Sequence, residues 1–137
     1  MSGAYDFSDR TPEDYDVHHA DPLETFVYDV TNYTNSIDLA VQKSKSPVAM
    51  VTTPTEAVPF RPVMLVNSRY DPMPYHQIFD LPCAFQQHSV DPSLYTVITV
   101  PDSSDHAFAL WFDADNGYPT TKQISTRVIE FLDSHLK

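Results

Sequence analysis

Arg61-Pro62-Val63-Met64-Leu65-Val66-Asn67 and Leu94-Tyr95-Thr96-Val97-Ile98-Thr99-Val100 are the two runs on which the fold of this chain turns. Each is short, rich in β-branched residues and apolar at successive positions, the pattern of a strand buried on both faces rather than one. Ser68-Arg69-Tyr70-Asp71-Pro72 breaks the first run and Pro101-Asp102-Ser103-Ser104-Asp105-His106 breaks the second. Between them, Pro74-Tyr75-His76-Gln77-Ile78-Phe79 begins a helix. Pro82 either kinks that helix or sits in the first turn of a new one capped by Asp80. Two such strands joined through a helix lie parallel, with a right-handed crossover. Asp71 and His106 then each follow the carboxyl end of a strand, on the one rim where open α/β sheets place their sites.

The flanking segments read as helices. Thr11-Pro12-Glu13-Asp14 is a helix start, with an N-cap, a proline at the first helical position and acids in the first turn. Asp21-Pro22-Leu23-Glu24 repeats it, and Leu23, Phe26, Val27 and Val30 fall at helical spacing as an apolar stripe. Asn35 or Ser36 caps a third helix carrying Ile37, Ala40 and Val41, which stops before Pro47. Residues 52–62 hold prolines and alternate in polarity, a loop returning the chain to the sheet. Residues 107–112 form a buried loop or a short helix, and 113–117 a turn. Thr120 and Gln123 make a capping box for the last helix, whose apolar face is Ile124, Val128, Phe131, Leu132 and Leu136.

At the two rims the chain resembles the C-terminal half of an α/β-hydrolase of the esterase/lipase type. Pro62-Val63-Met64-Leu65-Val66-Asn67-Ser68-Arg69-Tyr70-Asp71-Pro72-Met73-Pro74 is similar to that family's P-V-L-L-V-H-G-x-x-D-x-x-V-P segment, which carries the triad acid. Pro101-Asp102-Ser103-Ser104-Asp105-His106 resembles the P-G-x-x-H that carries its histidine. Asn67-Ser68 stands where the family has His-Gly, and Asp102 where it has Gly, so these loops depart from the pattern. Ser2-Gly3-Ala4-Tyr5-Asp6-Phe7 resembles the segment leaving the nucleophile strand, and Ser46-Pro47-Val48 the end of the cap insertion. The likeness thus runs through the whole chain in order. It implies a partial α/β-hydrolase fold: 1–10 an exit from a strand not included, 11–50 a helical cap, and 51–137 the part carrying the catalytic acid Asp71 and base His106. It also offers Phe26, Tyr28 and Tyr33 of the cap as acyl-pocket contacts, against the alternative that they pack on neighbouring helices.

The family's nucleophile sits on a G-x-S-x-G elbow, and its oxyanion hole on a Gly-rich loop upstream. The chain has two glycines, Gly3 and Gly117, neither in such an elbow. Ser2, Ser68, Ser103 and Ser104 lack a strand-turn-helix context, and the last two precede His106 too closely to face its Nε2. The reading is therefore a half-site, inactive alone, that hydrolyses an ester or amide only when completed by an N-terminal half. The competing reading is a non-catalytic binding or dimerisation module, pairing with a second copy through an exposed sheet edge.

Composition bounds the rest. A chain of 137 residues with 42% hydrophobic residues supports one core. Its net charge of −11 excludes a phosphate-binding surface, and with it nucleic acid as a partner. No apolar run reaches the ~20 residues of a membrane span, and nothing in the chain carries an address, which leaves localisation open. Cys83 alone excludes an internal disulfide and reads as a small buried hydrophobe. His18-His19 near Asp21 offers no third ligand, adjacent helical residues pointing about 100° apart. His76, His88 and His135 fall on connectors or a helix end. No metal or cofactor is implied.

Overall fold

The two apolar runs form the sheet. In this computed structural model β1 (Val63–Ser68) and β2 (Tyr95–Val100) pair in parallel, in register from Val63 opposite Tyr95 to Ser68 opposite Val100. The structure describes residues 4–11, 22–71, 73, 76–106, 109–112 and 118–136. The helix expected to start after Thr11, at Pro12-Glu13-Asp14, the His18-His19 pair, Ser2 and the turn at 113–117 lie outside the described residues.

Alternation along a strand sends successive side chains to opposite faces, and here both faces are covered. Leu65, with Val63, Tyr95 and Val97, faces Ile78, Leu81 and Phe85 of α3 (Gln77–Gln87) and Tyr5 of the N-terminal segment. Val66, Ile98 and Val100 face Leu110 of α4 (Ala109–Phe112) and Ile124 of α5 (Thr121–His135). This is the mixed α/β arrangement expected, a short parallel sheet with helices on each side. Ahead of it lie α1 (Pro22–Thr34), α2 (Leu39–Ser44) and a 3-10 turn at Pro47–Met50. Phe26 and Val30 of α1 are buried as their spacing requires, and the Arg10 guanidinium sits over the Phe26 ring, 5.4 Å from its centre. Tyr28 and Tyr33 are exposed, Tyr33 meeting Phe7 edge-on.

Several local expectations are corrected. The cap of α2 is Asp38, whose Oδ1 accepts from Ala40 N at 2.7 Å; Asn35 instead turns left-handed (φ 52°) to end α1. Ile37, Ala40 and Val41 are exposed, and α2 buries Gln42. The Gln42 amide tolerates burial because it donates to Ser36 O at 2.7 Å and accepts from Arg10. Pro82 lies inside one continuous α3, buried among Ile78, Leu81 and Phe85 on the apolar face. Cys83 is exposed rather than buried, because at ~100° per residue it falls outside the stripe formed by its neighbours. The capping box of α5 forms as expected, Thr120 N donating to Gln123 Oε1 at 2.8 Å, yet Leu132 and Leu136 at its far end stay exposed.

α3 ends in a Schellman motif: Val90 N donates to Phe85 O at 2.9 Å and Ser89 N to Gln86 O at 3.1 Å, with Ser89 left-handed at φ 57°. A side chain at that φ is strained and glycine is not. Ser89→Gly is expected to stabilise the chain by about 0.5–1 kcal/mol, the relief of strain exceeding the added freedom of the unfolded state. Urea unfolding would show it, and a lower midpoint would contradict the assignment.

Candidate active site

The loops leaving β1 and β2 are laced together, and that lacing places Asp71 beside His106. Beyond the strands the ladder continues as Arg69 N to Val100 O at 2.8 Å and Tyr70 N to Ser103 O at 3.0 Å. Ser68, fully buried, donates its Oγ to Asp105 O at 2.5 Å, and Ser103 Oγ accepts from Asp105 N at 3.0 Å. The serines weighed as stand-in nucleophiles at 68 and 103 are thus tied into the loop framework, where they set the course of the chain into His106.

Asp71 is buried, its side chain 2% exposed, while the His106 ring is 42% exposed. The ring Nδ1 lies 2.8 Å from Oδ1 and 3.0 Å from Oδ2 of Asp71. A carboxylate only accepts, so this contact puts a proton on Nδ1. Asp71 Oδ1 also accepts from Met73 N at 2.7 Å, which fixes the carboxylate against its own turn. His106 O accepts from Ala109 N at 3.0 Å, leading the chain into α4. The two residues picked from the sequence are therefore in direct contact across the rim of the sheet. It is Asp71 that meets the ring, although Asp102 and Asp105 are nearer in sequence.

The hydrogen bond to Asp71 raises the His106 pKa above the ordinary histidine value; partial burial opposes this and the carboxylate charge adds to it. Behind the pair, burial pushes the Tyr5 phenol up to about 12, with a smaller contribution from Asp71, so that ring stays protonated. A histidine raised on folding contributes stability that is fully present below about pH 6.5 and is lost as pH rises through the raised value. The urea midpoint of the chain is expected to decline above about pH 6.5, and the decline to be shallower in Asp71→Asn. Parallel pH profiles for the two proteins would contradict the coupling.

Sequence reasoning passed over a second group. His76 stands at the position preceding α3 without a capping bond from its side chain, and its Nε2 contacts Oδ2 of Asp9, with Asp80 one helical turn further on. The i, i+4 spacing of His76 and Asp80 was readable, but the approach of Asp9 was not.

Among the described residues no helix is long and apolar enough to cross a membrane. Compared with known proteins, the chain matches no family model, no curated protein and no solved structure.

Proposed function

We propose that this chain supplies the acid and base of a serine ester hydrolase of α/β-hydrolase type, Asp71 orienting and charging His106 as general base. The observation that carries the reading is the buried Asp71 carboxylate on Nδ1 of a half-exposed His106, at the carboxyl rim of a parallel sheet. A base so held carries its proton on Nδ1, the tautomer whose other nitrogen takes a proton from a hydroxyl. Acid and base alone form no acyl-enzyme. The reading requires a serine and an oxyanion loop from outside these 137 residues, and a short-chain ester or amide as substrate.

The test has two arms. The purified chain, given a short-chain nitrophenyl ester and a fluorophosphonate probe, is expected to show neither turnover nor serine labelling. The reading frame upstream of Met1 is expected to encode a G-x-S-x-G, and the joined protein to label at that serine and to lose turnover in His106→Ala. Labelling of the chain alone, abolished by His106→Ala, would place the nucleophile within these residues and overturn the half-site. A frame without the elbow favours the second reading, a dimerisation module. That reading has its own support: among the described residues the sheet has two strands, so each offers one edge without a strand neighbour. Light scattering of the protein as its gene encodes it tests the second reading, which expects a stable dimer that a charged substitution on the open strand edge dissolves.

A further inference from the structure

Asp9, His76 and Asp80 offer one ligand atom each, all within 4.8 Å of one another, on the side of α3 that meets the N-terminal segment. Their arrangement is imposed by the chain around them. His76 and Asp80 sit at i and i+4 at the start of α3, with Asp80 N donating to His76 O at 3.2 Å, so one turn of helix fixes two of the three. Asp9 is brought in by the N-terminal segment, which Gln77 pins from the same helix. The buried Gln77 amide accepts from Tyr5 N at 2.7 Å and Asp6 N at 2.6 Å and donates to Asp6 O at 2.9 Å. Asp9 Oδ1 is engaged by Thr11, whose N and Oγ1 lie 2.8 and 2.6 Å away. That leaves Oδ2 to face His76.

Hydrogen bonding accounts for only part of this cluster. Oδ2 of Asp80 is buried and has no hydrogen-bond partner, although a carboxylate oxygen so placed costs free energy unless something positive meets it. Lys43, whose charge also reaches Asp80, is already paired with Asp6. An ion pair between Asp9 and His76 explains those two residues and reaches Asp80 only as a neighbouring charge, with no hydrogen bond to its buried oxygen. A divalent cation among the three explains all of them: it gives Asp80 a partner, its charge balances the two carboxylates, and it takes a neutral imidazole as its third ligand.

We propose that Asp9, His76 and Asp80 form a binding site for a divalent transition-metal ion, with Zn2+ the best fit, fastening the N-terminal segment to α3. One imidazole nitrogen with two carboxylate oxygens is a donor set for zinc and its neighbours rather than for calcium, which takes oxygen alone. Three protein ligands leave one tetrahedral position for water. The site shares no residue with the Asp71–His106 pair and stands whether or not that pair is catalytic.

The experiment is calorimetric titration of the chelator-treated full chain with ZnCl2 at neutral pH. One equivalent is expected to bind, at least about tenfold more weakly in Asp80→Asn, Asp9→Asn and His76→Ala. Retained circular dichroism would show that each variant is folded, and the near-isosteric Asp80→Asn carries the test should His76→Ala unfold. His106→Ala and the double variant His18→Ala/His19→Ala are expected to bind as the parent does. Absence of stoichiometric binding, binding unchanged in Asp80→Asn, or binding lost in the His18/His19 variant would each overturn the site.

Discussion

Asp71→Asn in the completed hydrolase is expected to lower kcat on a short-chain nitrophenyl ester by about ten-thousand-fold while leaving the protein folded. The substitution is nearly isosteric, and the amide oxygen can still accept from Met73 N, so the turn beyond β1 survives. What changes is the ring. If the amide oxygen keeps the Nδ1 proton, the imidazolium formed during proton abstraction loses the buried charge that stabilises it. If the amide nitrogen turns toward Nδ1 instead, the ring is driven to the tautomer that carries its proton on Nε2 and cannot accept one there. Either outcome removes the base without removing the histidine. Nitrogen NMR of His106 should show the altered tautomer or a lower pKa in the same variant. A loss under about tenfold would mean that the pair is a structural contact and the hydrolase reading is wrong.

The sheet and its rim were legible because they rest on strong local signals. Continuous β-branched runs announce strands buried on both faces, and the strand-helix-strand order favours the parallel pairing, so Asp71 and His106 could be placed on one rim without coordinates, while singling them out as a pair rested on the family resemblance. What escaped was settled by competition among polar groups. Asn35 looked like a cap but was needed as the left-handed stop of α1, which passed the role to Asp38. Gln42 and Gln77 are polar and nothing in the sequence marks them for burial, yet each is 1% exposed because its amide meets backbone or charged partners from distant segments. No periodicity encodes such partners. The approach of Asp9 to His76 belongs to the same class, depending on how residues 4–11 return to α3.

Asp80→Asn is expected to stabilise the metal-free chain by about 1–2 kcal/mol at pH 7, although it alters a residue with a deliberate-looking place in the structure. Burial is the main cause; the His76 charge opposes it, Asp9 and Asp6 add repulsion and Lys43 a smaller attraction, and together they raise the Asp80 carboxyl from 3.8 to about 6. Each unit of such a shift corresponds to about 1.4 kcal/mol, discounted here because the carboxyl is only half-buried and solvent screens part of the penalty. The sign follows from the acid being raised on folding. Below about pH 3.8 the group is protonated in both states and costs nothing, and above about pH 6 the folded chain carries the whole penalty. The advantage of Asn should therefore be full at pH 7 and vanish near pH 4, as urea unfolding of the two proteins across that range would show. A variant less stable than the parent at pH 7 would mean that the Asp80 carboxylate is satisfied by a partner and not strained. Zinc should narrow the gap. At 100 times the parent's dissociation constant the ion adds about 2.7 kcal/mol to the parent and about 1.4 kcal/mol to a variant that binds it tenfold more weakly, so about 1.3 kcal/mol of the advantage of Asn should disappear when the ion is present. A variant that folds better and binds worse separates the two roles of this carboxylate, since no loss of structure can account for the lost cation.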